Sequence, residues 1–202
     1  MIHTLPVYYP MYTDNDHFIY LITGGRASGK SSAVSTFLYR LTFEQTPAQK
    51  IAHQILYTRY TMMSANISII PEFLEKAEID GTQDFFRTTR TEVINRMTGS
   101  HVMFRGIKTS SGTQTAKLKS IHGVSVFVVD EAEEWTSEKE FETIMLSIRQ
   151  KGIKNIIIIV MNPTDSHHWV YQRFIAHTHN IVHHDGVPLN ITPHPTALPT
   201  PP

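Results

Sequence analysis

FIYLITGGRASGKSSAVSTFLYRL, from Phe18 to Leu41, opens with a β-branched and aromatic run that stops at two glycines, as a buried strand entering a turn does. From Lys30 the period changes: Ala33, Val34, Phe37, Leu38 and Leu41 recur at helical spacing, and Pro47 closes the element. Between strand and helix, Gly24-Gly25-Arg26-Ala27-Ser28-Gly29-Lys30-Ser31 satisfies G-x-x-x-x-G-K-[ST] at every fixed position. The glycines let backbone N–H groups turn toward a polyanion, and the helix N-terminus adds a favourable dipole. Lys30 would reach the β- and γ-phosphates of a nucleotide, and the Ser31 hydroxyl would complete a magnesium shell. Gly24, Gly25, Arg26, Ala27, Ser28, Gly29, Lys30, Ser31 and Ser32 are therefore candidate nucleotide contacts. The plain alternative is a glycine-rich turn with no ligand, and the order strand, loop, helix weighs against it.

Such a loop needs an acid at the end of another buried strand. Val124 to Val129 (VSVFVV) is the strongest strand signal in the chain and ends abruptly at Asp130-Glu131. Asp130 would hold Mg²⁺, and a carboxylate one step further, Glu131, can polarise a water for attack on the γ-phosphate. The alternative for this pair is a charged helix entrance; Glu133 and Glu134 read as surface charges. A third apolar run, Asn155 to Met161, ends in Asn162-Pro163-Thr164, which places a polar amide where it can sense the γ-phosphate or its attacking water. Further strands are expected at Ile51 to Thr58 and in a hairpin of Arg90 to Met97 with His101 to Gly106. A helix is expected within Ala65 to Ala77, started or kinked by Pro71. Another begins at a Ser137–Glu140 capping box and is closed by Gly152. Strands alternating with helices predict an α/β fold: a mainly parallel central sheet covered by helices on both faces.

The 202 residues suit one domain, and the absence of cysteine excludes a disulfide scaffold, a thiol nucleophile and a Cys-ligated zinc site. His167-His168, His177, His179 and His183-His184 invite a zinc reading, but no carboxylate or cysteine completes a ligand set. Ile156 to Met161, the longest apolar run, is far too short to span a bilayer, so a soluble cytosolic protein without membrane contact is expected. Lys+Arg and Asp+Glu both total 18, yet the signs are segregated. Seven basic residues lie between Arg87 and Lys119 against Glu92 alone, and seven acids lie between Asp130 and Glu142 against Lys139, which suggests two oppositely charged surfaces. After about Gly186 the chain reads GVPLNITPHPTALPTPP, and its six prolines predict no strand or helix of any length.

GGRASGKS, VFVVDEAEEW, and IIIIVMNPT followed by HHWVYQRF together resemble the ATPase domain of the large terminase subunit of tailed bacteriophages. The resemblance runs from about Tyr9 to Phe174. It takes in the strand end Tyr57-Thr58-Arg59, the Gly99-Ser100 hairpin leading to Phe104-Arg105-Gly106, and Trp169 to Phe174. It implies a P-loop NTPase of the RecA-like ASCE class, with Walker A and Walker B motifs. The activity implied is Mg²⁺-dependent ATP hydrolysis that drives double-stranded DNA into a procapsid. The motor would act as a homo-oligomeric ring, a monomer when isolated, docked on the portal protein in the host cytoplasm and served by the small terminase subunit. Carried onto this sequence, Lys30 and Ser31 contact phosphate and magnesium, Asp130 is the metal acid, Glu131 the general base, and Asn162 falls in the coupling motif. Arg26 matches an arginine inside the phosphate loop that acts as a cis finger or a switch. A trans finger comes from just before the acidic strand, where this chain has Lys117 and Lys119; Arg105 is the further candidate. The adenine pocket falls near Tyr8, Tyr9 and Tyr12, with Tyr9 the chosen contact. The family's C-terminal nuclease has no counterpart here, so residues 1–185 are expected to be the ATPase domain and 186–202 a tail or linker, with no DNA cleavage by this chain.

For DNA, Arg87, Arg90, Arg96 and Lys108 are the candidate contacts, to backbone phosphates rather than bases, since a packaging motor must ignore sequence. Two competing readings are a helicase-like P-loop ATPase, suggested by the DEAE run but without a second RecA-like domain, and a nucleotide-binding module that sets ring geometry with little turnover alone.

Overall fold

Strand residues alternate between two faces, and in this chain both faces are apolar, so each strand needs helices on either side. The computed structural model describes residues 2–44, 51–61, 69–109, 112–113, 118, 121–163, 165–176, 181–184 and 187–190. Its strands are β1 (Ile19–Thr23), β2 (Gln54–Arg59), β3 (Phe86–Thr88), β4 (Glu92–Asn95), β5 (His101–Gly106), β6 (Lys108–Thr109), β7 (Gly112–Thr113), β8 (Val126–Val129), β9 (Ile156–Met161), β10 (Ile181–His184) and β11 (Val187–Asn190). Its α-helices are α1 (Pro10–Thr13), α2 (Lys30–Leu41), α3 (Ile70–Ile79), α4 (Glu138–Met145) and α5 (Trp169–Tyr171), the last continuing into a π-helical turn at Gln172–Ala176.

Seven strands form one sheet in the order β1-β9-β8-β2-β5-β4-β3. β1, β9, β8, β2 and β5 run parallel, in register Leu21↔Ile159, Val128↔Ile158, Tyr57↔Val128 and Tyr57↔Phe104, and β4 and β3 add an antiparallel edge. One face carries Ile55, Tyr57, Phe104, Val128, Ile158 and Val160 against Val34, Phe37 and Leu38 of α2 and Ile70 and Phe73 of α3. The other carries Leu56, Phe127, Val129, Ile157 and Ile159 against Phe141 and Ile144 of α4 and Val170 of α5. The expected mainly parallel sheet with helices on both faces is what forms. Among the described residues no helix is long and apolar enough to cross a membrane.

Several boundaries differ from expectation. Pro71 lies in the first turn of α3, where its missing N–H costs nothing. The Ser137 cap forms, its Oγ accepting from Glu140 N at 3.3 Å, but α4 stops at Met145 rather than running to Gly152. Ser147 N to Ile144 O and Ile148 N to Met145 O close i→i+3 turns that bury Ile148 and leave Leu146 out in solvent. β3 was not foreseen; at three residues it is too short to show a period. Beyond Gly186, where no element was expected, Val187–Asn190 pairs antiparallel with Ile181–His184, and Pro188 sits in a strand that has a neighbour on one side only.

Candidate active site

Four neighbouring parallel strands end at the same rim of the sheet, and the rim is where open α/β sheets receive ligands. After β1 comes the glycine loop; after β9, Asn162; after β8, Asp130 and Glu131; and β2 ends in Arg59 itself. α2 starts at Lys30, immediately behind Gly29 in a left-handed conformation (φ 79°), with Ala27 also left-handed at 63°. The Lys30 ammonium is buried and must find acceptors. It donates to the carbonyls of Gly24 (2.6 Å) and Gly25 (2.7 Å), to Ser28 Oγ (3.3 Å) and to Asn162 Oδ1 (3.1 Å). The first and third expected motifs thus meet through one side chain. Tyr8, not Tyr9, reaches the loop: its hydroxyl donates to Ser28 O at 2.8 Å, while Tyr9 is 51% exposed. Leu5, also exposed, lies beside Gly29, where an added Cβ would stand 3.8 Å from Leu5 Cδ1. Arg26 is exposed on the loop.

Asp130 is buried and its carboxylate is met by a cation that charge counting had not singled out. Arg59 Nε donates to Asp130 Oδ2 at 2.6 Å, and Arg59 Nη2 lies 3.3 Å from Glu131 Oε1. One guanidinium therefore bridges both acids. Register explains it: Thr58 pairs with Val129 and Asp130 N donates to Thr58 O, so the next residue of β2 stands beside Asp130. A charged residue closing an otherwise buried strand is the signal that marks Arg59 in the sequence. Burial raises the Glu131 carboxyl above the ordinary carboxylate range, and Arg59 opposes part of that rise. Burial, reinforced by Asp130, pushes the Tyr57 phenol well up, so it stays protonated beside the acid.

Glu133 is not the surface charge expected of it. Its carboxylate takes Asn162 Nδ2 at 2.6 Å and Asn162 N at 3.2 Å, because the 3-10 turn Ala132–Glu134 folds it back toward the end of β9; Glu134 is exposed. On the α2 side, buried Lys76 of α3 donates to Ser32 Oγ at 3.2 Å. Lys76 Nζ also donates to Glu75 Oε2 at 3.2 Å, and burial raises the pKa of Glu72, one turn earlier, against the pull of Lys76 and Ser32. After β9, His168 Nε2 (3.0 Å) and Trp169 Nε1 (2.5 Å) both donate to Trp135 O, riveting the segment behind Asn162 to the loop behind Asp130.

The other basic candidates are turned to the antiparallel edge or lie outside the described residues. Arg105 is engaged by Glu92 (2.5 Å) and by the carbonyls of Thr91 and Phe104, so it ties β5 to the antiparallel edge instead of standing free as a finger. Arg87, Arg90 and Arg96 are exposed along that edge. Lys108 opens β6; its side chain, Lys117 and Lys119 lie outside the described residues.

The model of the phage terminase large subunit family matches residues 16–190. The chain belongs to that family. The match spans all four loops of the rim and extends past the boundary expected at residue 185. Among solved terminase structures, the large terminase of a thermophilic bacteriophage superposes with a TM-score of 0.66 at 13% identity, over 86% of this chain and 43% of that one. The same phage's terminase in complex with ADP gives 0.61 at 12%, over 84% and 41%. The large terminase ATPase domain of Thermus phage P74-26 gives 0.57 at 18%, over 86% and 70%. A chain of the bacteriophage Phi-29 viral genome packaging motor assembly gives 0.54 at 15%, over 86% and 51%. At these identities the likeness is one of fold, and the fold is that of the P-loop NTPases. None of the curated proteins compared matches the chain. The chain spans less than half the length of the thermophilic phage's terminase.

Proposed function

We propose that this terminase chain is the ATP-hydrolysing motor of viral DNA packaging, and that its rim binds Mg-ATP. One observation carries the reading: Lys30 of the glycine loop is hydrogen-bonded to Asn162 while the adjacent strand presents a buried acid, Asp130, followed at once by a half-exposed one, Glu131. The family membership and the ADP complex of a relative sharing the fold support it.

Lys30 now rests on the loop's own carbonyls, and a triphosphate would take it over, since phosphate oxygens are the stronger acceptors. Ser31 and Asp130 supply hard oxygen donors, and among the described residues no cluster of three His, Cys, Asp or Glu could hold an ion alone. That set fits Mg²⁺, which keeps most of its water and leans on substrate phosphates. The cation would neutralise charge on the β- and γ-oxygens. Glu131, made more basic by burial, is the base that takes a proton from the attacking water. Arg26, exposed on the loop, is the candidate finger. Exposed Leu5, beside Gly29, offers apolar surface for the adenine, with the Tyr9 ring, exposed three residues before Tyr12, as the aromatic candidate carried from the resemblance.

The substrate moved is double-stranded DNA, gripped through phosphates by Arg87, Arg90 and Arg96 in a ring of subunits. The ring docks on the portal of a procapsid in the host cytoplasm and receives DNA with the small subunit. Residues 1–185 form the ATPase domain in this reading, with the segment from 186 onward as its outgoing arm.

The test is magnesium-dependent ATP hydrolysis across a range of protein concentrations, comparing the chain with Lys30→Ala and Glu131→Ala. Turnover lost in both variants, with nucleotide binding retained in Glu131→Ala, supports the reading. Nucleotide binding that needs Lys30 with no hydrolysis at any concentration, or with DNA added, overturns it in favour of a nucleotide-set assembly module.

A further inference from the structure

An ammonium only donates and a carboxylate only accepts, so an amide held between the two has its orientation dictated. Asn162 is held in this way. Its Oδ1 accepts from Lys30 Nζ at 3.1 Å, its Nδ2 donates to Glu133 Oε1 at 2.6 Å, and its own N–H donates to Glu133 Oε2 at 3.2 Å. Both oxygens of Glu133 are engaged by one residue, and they join the end of β9 to the turn behind β8. The nitrogen side of the amide is closed off, and the oxygen side faces the glycine loop.

We propose that Glu133 is a positioning residue that locks the Asn162 amide with its oxygen toward the γ-phosphate end of the site, so that Asn162 acts there as a hydrogen-bond acceptor. An acceptor in that place repels a phosphate oxygen and suits an O–H of the attacking water or the Lys30 ammonium. When a triphosphate draws Lys30 onto its own oxygens, Oδ1 is released to orient the water while Glu133 keeps the amide from flipping. The inference rests on the hydrolase reading above and adds a role to an acid of the second motif that reads as a surface charge in the sequence. It also gives the Asn162 station a polarity: a nucleotide-driven move of Lys30 is felt at the turn carrying Glu133.

Reversing the polarity of the pair tests it. Asn162→Asp alone sets two carboxylates against each other and loses the Nδ2 bond, and kcat should fall roughly 10²-fold, as on loss of one oriented hydrogen-bonding group. The KM for ATP should move less than about twofold, since Oδ1 serves the transition state more than binding. In Asn162→Asp/Glu133→Gln the contacts can all be remade. The introduced glutamine donates its amide to the introduced aspartate and accepts from the backbone N–H at the end of β9, and the aspartate's second oxygen faces Lys30. The double variant should return to within about tenfold of the wild-type kcat and melt above Asn162→Asp. A double variant no faster than Asn162→Asp overturns the proposal; one that regains stability without rate leaves the pair a strut and overturns the acceptor role. A wild-type chain that never turns over instead sinks the hydrolase reading and the catalytic half with it, while the melting-temperature cycle still decides whether Glu133 locks Asn162.

Discussion

Ala27 and Glu131 are the two non-glycine residues with positive φ among those described, and both stand on the active rim. A left-handed backbone costs an L-residue roughly 1–2 kcal/mol, which persists when the surroundings over-determine it. At Glu131 the strain turns the carboxylate out of line with the strand and onto Arg59. Glu131→Gln keeps the shape and removes the base, so turnover should fall about 10²- to 10⁴-fold with nucleotide binding retained, read by single-turnover hydrolysis and a binding titration. Arg59→Ala leaves Asp130 buried and unpaired and should cost about 3–5 kcal/mol in denaturant unfolding; adding Asp130→Ala should recover part of that loss. At the opposite end of the sheet, burial pushes the His53 imidazole down to about 4 from 6.5, and its Nδ1 lies 3.0 Å from Ser125 Oγ. The unfolded chain therefore takes up a proton between pH 6.5 and 4 that the folded chain refuses, and stability falls as pH falls through that window. The expected loss attributable to this group is about 3 kcal/mol, and His53→Asn should flatten the curve of unfolding free energy against pH over that range.

At the scale of elements, α4 is short and held mainly by what it buries. Phe141 is fully buried and packs on Phe127 (centroids 6.0 Å) and Trp169 (5.0 Å), so it joins β8, α4 and α5 in one cluster. Arg173 adds an outer clamp, reaching Glu138 and Glu142 at 2.6 Å each. Phe141→Ala should cost about 3–5 kcal/mol by denaturant titration, against about 1 kcal/mol for removing the cap in Ser137→Ala. Because α5 follows Asn162 and α4 follows Asp130, the Phe141 change should also lower hydrolysis more than Ser137→Ala does. Glu138 and Glu142 enter the sequence reading only within its block of seven acids, and the cation that clamps them was not legible, since 31 residues separate Glu142 from Arg173.

At the scale of the molecule, a chain of zero formal charge binds a duplex weakly unless several copies share it. Concentration-dependent specific activity is expected of a ring whose neighbours complete each other's sites. A finger supplied by Arg26 of the same chain, worth about 10³ to 10⁵ in rate, would instead leave specific activity flat against concentration. Replacing Arg87, Arg90 and Arg96 together with Gln should weaken DNA binding alike for all sequences and flatten its log–log salt dependence by about 2 to 3 per subunit, measured by anisotropy at increasing salt.

Strand, loop and helix around Lys30, the acidic strand end at Asp130 and the amide at Asn162 are written in local order. A phosphate loop is built from consecutive backbone groups, and buried parallel strands announce themselves as unbroken apolar runs. Those local signals determined the fold class and most of the rim. What only the tertiary structure decided is which side chains meet across strands that are far apart in the chain. Arg59 reaches Asp130 because β2 lies next to β8, Glu133 grips Asn162 because β8 lies next to β9, and Lys76 finds Ser32 because α3 packs on α2. Each is a polar group taken out of water that had to find its partner in space, and sequence spacing carries no record of that choice.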